Sequence, residues 1–475
     1  MNLQIVREWM PTASQHFLIG ALAVLCYVIT TRLRGERRAA AAAIAWVMGL
    51  ALVPYITLPM YLLFGRRKLR PPGLVRQHLA PGEQLWAADL LDGMGLAPAS
   101  PSHVSWQHDG AAAQAALWRL IEQAEHRIDV CTFILGNDPL GQGTVERLAH
   151  SARQGVVVRV LLDGFGALLL PRSHLRRLRQ AGVEVAIFRP FFSLRGNGPR
   201  NLRNHRKLLV VDDRWLWSGG RNLAAEYFTG KAGEAPWRDI SFTLDDGTAR
   251  AAAEQFAHDW ATVQRQLPRD LLAPVDTQGT ETALTQFLPS GPDQPEDTAH
   301  ALLLGACFQA KRRILAITPY FVLDDGLRDA LRLAARRGVE VTLIIPQKSN
   351  HRLADFVRTR AMRDLAQAGV HFRMLPFMAH AKALVLDDTL ALCGSINIDL
   401  RSLLIKPRSV RRFLWPGRHR LAGPVDGGNS PKRTALCGNT PRAGAQRGRG
   451  ACAGSGFPAL KACTGRALRM MKPDA

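Results

Sequence analysis

The chain has 475 residues, 47% of them hydrophobic and 21% charged, which is more than one ordinary core needs and too apolar for a disordered polymer. A formal net charge of +23 points to anionic partners, either phospholipid headgroups or nucleic acid. Residues 405–475 hold fifteen Lys/Arg against two acids, Asp426 and Asp474, so the excess is largely a property of the tail.

Along the chain, Phe17–Thr31 is apolar throughout, and residues 39–64 run without a charge. These runs predict two transmembrane helices, at about 15–31 and 39–64, in a membrane anchor covering residues 1–70. Trp46, Tyr55 and Tyr61 suit interfacial anchors, and Pro54 and Pro59 would kink the second span. A buried hairpin in a soluble core is the competing reading; a cleaved signal has no small-x-small site after the first run. Arginines flank the second run on both sides, so sidedness is not fixed. Residues 71–109 are Pro-, Gly- and Ala-rich and read as a linker.

From about residue 110, helix-like stretches alternate with β-rich runs: Arg127–Leu135, Val156–Leu162, Val183–Phe188, Lys207–Val211 and Arg214–Ser218. That is an α/β pattern. The chain also repeats itself. ARQGVVVRVLL from Ala152 matches ARRGVEVTLII from Ala335, and QAGVEV from Gln180 matches QAGVHF from Gln367. Two similar α/β halves follow, residues 110–284 and 285–404, related by pseudo-two-fold symmetry. An insertion in the first half, Phe192–Asn204, carries Arg195, Arg200 and Arg203 and reads either as a basic lip over a site or as a solvated loop. Of the seven cysteines none forms a CxxC pair; Cys131, Cys307 and Cys393 lie in apolar runs and read as small core residues.

The repeat is sharpest at His205-Arg-Lys207-x4-Asp212 with Gly219-Gly220-Arg-Asn222, and at His380-Ala-Lys382-x4-Asp387 with Gly394-Ser395-Ile-Asn397. Each His, Lys, Asp and Asn recurs after 175 residues without a gap. On a strand, positions i and i+2 share a face, so each His projects beside its Lys. The Gly-rich turn permits close approach by a phosphate, and the asparagines add neutral donors. Two halves face to face would bring two imidazoles and two ammoniums to one phosphate-sized point, with a nucleophile and a proton donor. The competing reading is that the histidines cap core strands and the lysines are solvated. One H-x-K-x4-D match is weak; two in register are not.

The paired motif resembles the phospholipase D superfamily. LLFGRRKL (Leu62–Leu69), NHRKLLVVD (Asn204–Asp212), PWRD (Pro236–Asp239), TPYF (Thr318–Phe321) and DLRSLL (Asp399–Leu404) narrow the resemblance to its cardiolipin synthases, over about residues 40–404. The resemblance implies a covalent phosphatidyl-histidine mechanism. His205 would be the nucleophile and His380 the general acid/base, or the reverse. Lys207, Lys382, Asn222 and Asn397 would hold the phosphoryl oxygens. Asp212 and Asp387 would orient imidazoles, in the partner half. Gly220 and Ser395 would lie close to the phosphate, and Glu226 either assists or is a surface acid. Two phosphatidylglycerols would give cardiolipin and glycerol in a multi-pass protein of the bacterial inner membrane. Partners would be phosphatidylglycerol, other anionic phospholipids and the membrane, with no nucleic acid. No cofactor or metal is implied, and no His/Cys cluster has zinc spacing. His351 reads as surface, Tyr320 and Trp237 as packing residues.

The tail departs from the family. Ile405-Lys406-Pro407-Arg408 stands where an Asn-aromatic-Glu segment is expected, and no Glu follows. Residues 405–475 read as a basic, low-complexity tail that buries no core, either an out-of-frame translation or a lipid-binding extension. Two alternatives to a transferase are therefore a phospholipase D-type hydrolase and an inactive lipid-binding homologue.

Overall fold

A computed structural model describes residues 12–34, 40–65, 86–190, 203–273 (save 232 and 246), 283–398 (save 292, 295 and 296) and 408–414. The Arg-bearing insertion lies almost wholly outside the described residues, as do residues 71–85 and 415–475.

At the N-terminus, α1 (Ala13–Arg34) is, among the described residues, the one helix long and apolar enough to cross a membrane by length and composition. The second expected span is instead two short helices, α2 (Ala40–Leu52) and α3 (Pro54–Phe64), broken at Val53. The cause is Pro54, whose preceding residue is pushed out of the helical region: Val53 has φ −137° and ψ 59°. At about 1.5 Å per residue neither piece alone reaches across ~30 Å of hydrocarbon. The three helices pack through Ala23, Tyr27, Leu50 and Tyr61, and the Thr30 and Tyr61 hydroxyls bond at 2.7 Å. Phe17, Leu22, Leu25, Ile56 and Leu62 point outward.

The first α/β half runs through β2 (Val104–Gln107), α5 (Gly110–Glu122), β3 (Arg127–Thr132), α6 (Pro139–Arg153), β4 (Val157–Asp163), α7 (Arg172–Gln180), β5 (Glu184–Phe188), β6 (Leu208–Val211), β7 (Trp215–Gly219), β8 (Ser241–Asp245) and α8 (Gly247–Gln264). Its sheet has the order β2-β8-β7-β6-β3-β4-β5, with β3, β4 and β5 parallel and the rest antiparallel. The parallel strands are near-continuous apolar runs because helices cover both faces. Leu117, Val145 and Leu148 fill one layer; Phe256 and Trp260 of α8 fill the other. Asp109 and Asp138 cap α5 and α6, accepting from Ala112 N and Gly141 N.

The second half repeats this design with β9 (Ala283–Ser290), α9 (Thr298–Gln309), β10 (Arg313–Ile317), α10 (Asp325–Arg336), β11 (Glu340–Pro346), α11 (Arg352–Gln367), β12 (His371–Leu375), β13 (Ala383–Leu386) and β14 (Leu390–Gly394). Two segments join it from outside the expected boundaries. The stretch read as linker contributes α4 (Trp86–Gly93), whose Ala87 and Leu91 enter the second core, and β1 (Ser100–Ser102), which pairs with β9. The stretch read as coreless tail contributes β15 (Arg408–Leu414), between β9 and β14. The second sheet is therefore β1-β9-β15-β14-β13-β10-β11-β12. The pairing Gly394↔Val410 matches Gly219↔Ser241, so β15 takes the place that β8 has in the first half.

Candidate active site

Alternation across one short segment builds the first-half site. Asn204 and Arg206 turn to one side: the Asn204 amide donates to Asp259 at 3.0 Å, and Arg206 donates to Asp259 at 2.7 Å and to Asp293 at 2.6 Å. Burial works against this guanidinium, but Asp259 and Asp293 overcome it and hold Arg206 above its ordinary pKa. His205 and Lys207 turn the other way, both buried, with Lys207 Nζ 2.9 Å from His205 Nδ1. The Phe133 ring lies 4.6 Å from the His205 ring. In the second half alanines, Ala379 and Ala381, flank His380, so the anchoring there is different.

That anchoring comes from the first half. The backbone of Arg238 pairs with the second-half motif: Arg238 N donates to Met378 O, and His380 N donates to Arg238 O at 2.7 Å. The next residue, Asp239, is buried and accepts from His380 Nδ1 at 2.6 Å. Arg221 fixes this loop by donating to the carbonyls of Tyr227 and Asp239 and to the Ser241 hydroxyl. Tyr227 and Trp237 pack on the imidazole at 5.0 and 5.5 Å. Lys382 lies 2.8 Å from His380 Nδ1. Burial first, then the ammonium of Lys382, push His380 down to about 3 in spite of Asp239, and Lys207 of the first half adds to the effect. Burial opposes ionisation of Asp239, but Lys382 and His380 outweigh it and bring the carboxyl down to about 2. The site thus holds a neutral imidazole against a carboxylate, in the field of two ammoniums. An anion fits such a field, and a phosphodiester bound there would restore proton affinity to the ring.

Asn222 and Asn397 are buried near the paired motifs, and Asn222 bonds the Tyr227 side chain. Two expectations are corrected. Asp212 and Asp387 do not orient the imidazoles. Asp212 accepts from the backbone N–H groups of Glu125, His126 and Arg127 at 3.0, 2.8 and 2.7 Å, and Asp387 does the same for Lys311, Arg312 and Arg313 at 3.0, 2.8 and 2.9 Å. Both sit at positive φ, 51° and 47°, in the β-turn beyond the motif strand, where Asp is tolerated better than most residues. Gly220 does not leave room for a phosphate: a Cβ there would meet Asp239 Oδ1 at 2.2 Å, so glycine admits the carboxylate. Its counterpart, Ser395, is fully buried. Glu226, read either as assisting or as a surface acid, pairs with Lys231 at 3.3 Å.

Asp239 is a site residue that sequence reasoning left without a role, and Trp237, read as a packing residue, packs on the His380 ring. Their one signal was membership of the PWRD segment. Among the described residues no group of three or more His, Cys, Asp or Glu could hold a metal. Cys131, Cys307 and Cys393 are buried, as expected, with burial raising the Cys307 thiol to about 12.

Two halves of one topology, each delivering a histidine and a lysine from one strand end to a common buried point, define a phospholipase D-like bilobal protein. A family model described as "Cardiolipin synthase, PLD-like domain" matches residues 117–260 and 304–407, and one described as "Phospholipase D-nuclease N-terminal" matches residues 21–66. Cardiolipin synthase A of Pseudomonas putida (strain W619) is 34% identical over 410 residues, covering 81% of this chain and 84% of that one. Cardiolipin synthase A of Pseudomonas aeruginosa (strain LESB58) is 34% identical over 411 residues, covering 81% and 82%. The crystal structure of a phosphatidylserine synthase from Haemophilus influenzae Rd KW20 shares the fold, with a TM-score of 0.50 at 13% identity over 70% of this chain and 87% of that one. The chain belongs to the cardiolipin synthase family with phospholipase D-like domains.

Proposed function

We propose that the protein is a cardiolipin synthase, transferring a phosphatidyl group from one phosphatidylglycerol to another. The observation that carries this reading is the buried His380–Asp239 pair joining the two halves, beside Lys382 and within reach of the field of Lys207. His205 Nε2 attacks phosphorus and forms an N–P bond while the P–O bond to glycerol breaks. The departing alkoxide takes its proton from the His380 imidazolium. His380, oriented through Nδ1 by Asp239, then removes the proton from the glycerol hydroxyl of a second phosphatidylglycerol. That oxygen attacks phosphorus, the N–P bond breaks, and cardiolipin leaves. Lys207, Lys382, Asn222 and Asn397 hold the phosphoryl oxygens as charge develops. Asp212 and Asp387 take no part in the chemistry.

The helix α1 and the broken pair α2–α3 form the membrane anchor, with α2 and α3 together making a kinked second span, in a bacterial inner membrane. The two catalytic halves are taken as 110–284 and 285–404, the second completed by α4, β1 and β15.

Full-length chain reconstituted with phosphatidylglycerol in the presence of a chelator tests the reading. Cardiolipin and free glycerol from the wild type, and neither from His205→Ala or His380→Ala, are expected. Phosphatidic acid as the main product would instead identify a hydrolase.

A further inference from the structure

Of the eleven large apolar side chains exposed beyond residue 86 among the described residues, six lie in two places: Phe165, Leu168 and Leu169 in the first half, and Leu353, Phe356 and Val357 in the second. Both places follow the equivalent parallel strand, β4 and β11, and so lie at the end of each sheet where the His-Lys motif begins. Aromatic contacts lead from His205 to the first place, and aromatic side chains lie beside both His380 and the start of the second. His205 touches Phe133, which stacks on Phe165 at 6.1 Å. In the second half Tyr227 packs on His380, and Tyr320 packs at 4.9 Å on His351, the residue that precedes α11 and its Leu353 and Phe356.

On α11, Leu353, Phe356 and Val357 share one face, while Arg358 and Leu365 are buried on another. Leu353 is 76% and Phe356 79% exposed, far more than a packed helix leaves uncovered. Lys348, Arg352 and Arg360 are exposed around them. Of the nearby acids, Asp355 is engaged by Ser349 N and Arg358, and Asp364 lies a turn further along the helix. Apolar side chains ringed by cations match the boundary of an anionic bilayer, where the former enter the acyl region and the latter meet headgroup phosphates.

We propose that the site end of the catalytic halves docks on an anionic lipid bilayer through these two patches, one from each half. The proposal rests on the reading that the substrate is a bilayer phospholipid. It gives each half a separate membrane contact besides the N-terminal helices, so the headgroup reaches the buried histidines without leaving the leaflet.

The test uses full-length chain in phosphatidylcholine vesicles, comparing wild type with a Leu353→Asp, Phe356→Asp double variant. Two substrates are supplied: long-chain phosphatidylglycerol in the bilayer, and dihexanoyl phosphatidylglycerol dissolved as monomers. The variant should lose roughly tenfold or more on the bilayer substrate and less than about twofold on the monomer. No loss on either, or equal loss on both, would overturn the proposal. A second readout needs no turnover. A Phe356→Cys chain carrying an environment-sensitive fluorophore, in vesicles containing phosphatidylglycerol, should be quenched by doxyl lipids beyond the unsubstituted chain labelled in the same way. Absence of that quenching overturns docking even in an active enzyme. Quenching without cardiolipin formation supports docking and counts against the transferase reading.

Discussion

Replacing Asp212 by Ala separates the two roles that the motif's last residue could have. The carboxylate accepts three backbone N–H bonds, from Glu125, His126 and Arg127, and its own backbone stands at φ 51°. Water can reach two of the three donors, so each lost bond costs about 1 kcal/mol rather than the full penalty of a buried orphan. Alanine at left-handed φ adds about 1 kcal/mol. The sum, about 3–4 kcal/mol, corresponds to a fall in Tm of very roughly 6–16 °C for a unit of this size. Asp212→Asn keeps one acceptor oxygen and the tolerance of positive φ and should cost about half as much. The assay is thermal unfolding of purified full-length protein in detergent, with kcat measured per folded molecule well below Tm. The kcat should stay within about threefold of wild type, because nothing in the imidazole contacts changes. Asp387→Ala should behave alike, since it holds Lys311, Arg312 and Arg313 in the same way. An Asp212→Ala protein of unchanged Tm whose kcat fell by about a hundredfold or more would refute the reasoning and return this carboxylate to the chemistry.

Asp239→Asn should fold normally but lose about 10²–10⁴ in kcat, because the amide no longer favours the proton on Nδ1 of His380; rates and near-ultraviolet circular dichroism together check this. His380 makes the protein labile to mild acid. Its folded pKa of about 3 lies below the ordinary 6.5, so the unfolded chain binds the extra proton; stability is complete above pH 6.5 and declines as pH falls toward 3, by up to about 5 kcal/mol. Asp239, lowered from 3.8 to about 2, acts in the same sense only below pH 4. Lys382→Met should therefore flatten the decline between pH 6.5 and 4 in urea-unfolding titrations. Truncation after Trp415 should leave a folded protein, whereas truncation after Leu404 removes β15 from the interior of the second sheet and should leave none; limited proteolysis distinguishes the two.

The features legible in the sequence were those carried by local periodicity. The spacing of His205 and Lys207, repeated at His380 and Lys382, put each pair on one face of a strand, and they lie just ahead of β6 and β13; the β-rich runs located β4 to β7 within one residue and overran the end of β3 by three. Contacts between distant segments left no such trace. Asp239 reaches His380 across 141 residues, and nothing in Pro236–Asp239 beyond its resemblance marks it as a partner. Asp212 looked functional because the resemblance implied it; its partners are main-chain groups, which have no sequence signature. The stretch 86–93 is too short and mixed to announce a core helix, and Leu91 is buried only because the second half packs around it. In Arg408–Leu414, arginines mask a strand that the ladder on both sides makes possible.

Ser102 is paired with Ala283 in one sheet, and two residues later Val104 is paired with Leu244 in the other. The order of synthesis thus differs from the order of assembly. When α4 and β1 leave the ribosome, the strand that receives β1 lies about 180 residues downstream, roughly ten to forty seconds of translation away. The first half can close during that interval, but the second begins with a piece made before the first and ends with one made after its own motif. A gene cut between the halves would give neither fragment a complete set of strands for the second sheet, so the duplication visible in the sequence no longer marks two modules that could be exchanged or expressed apart.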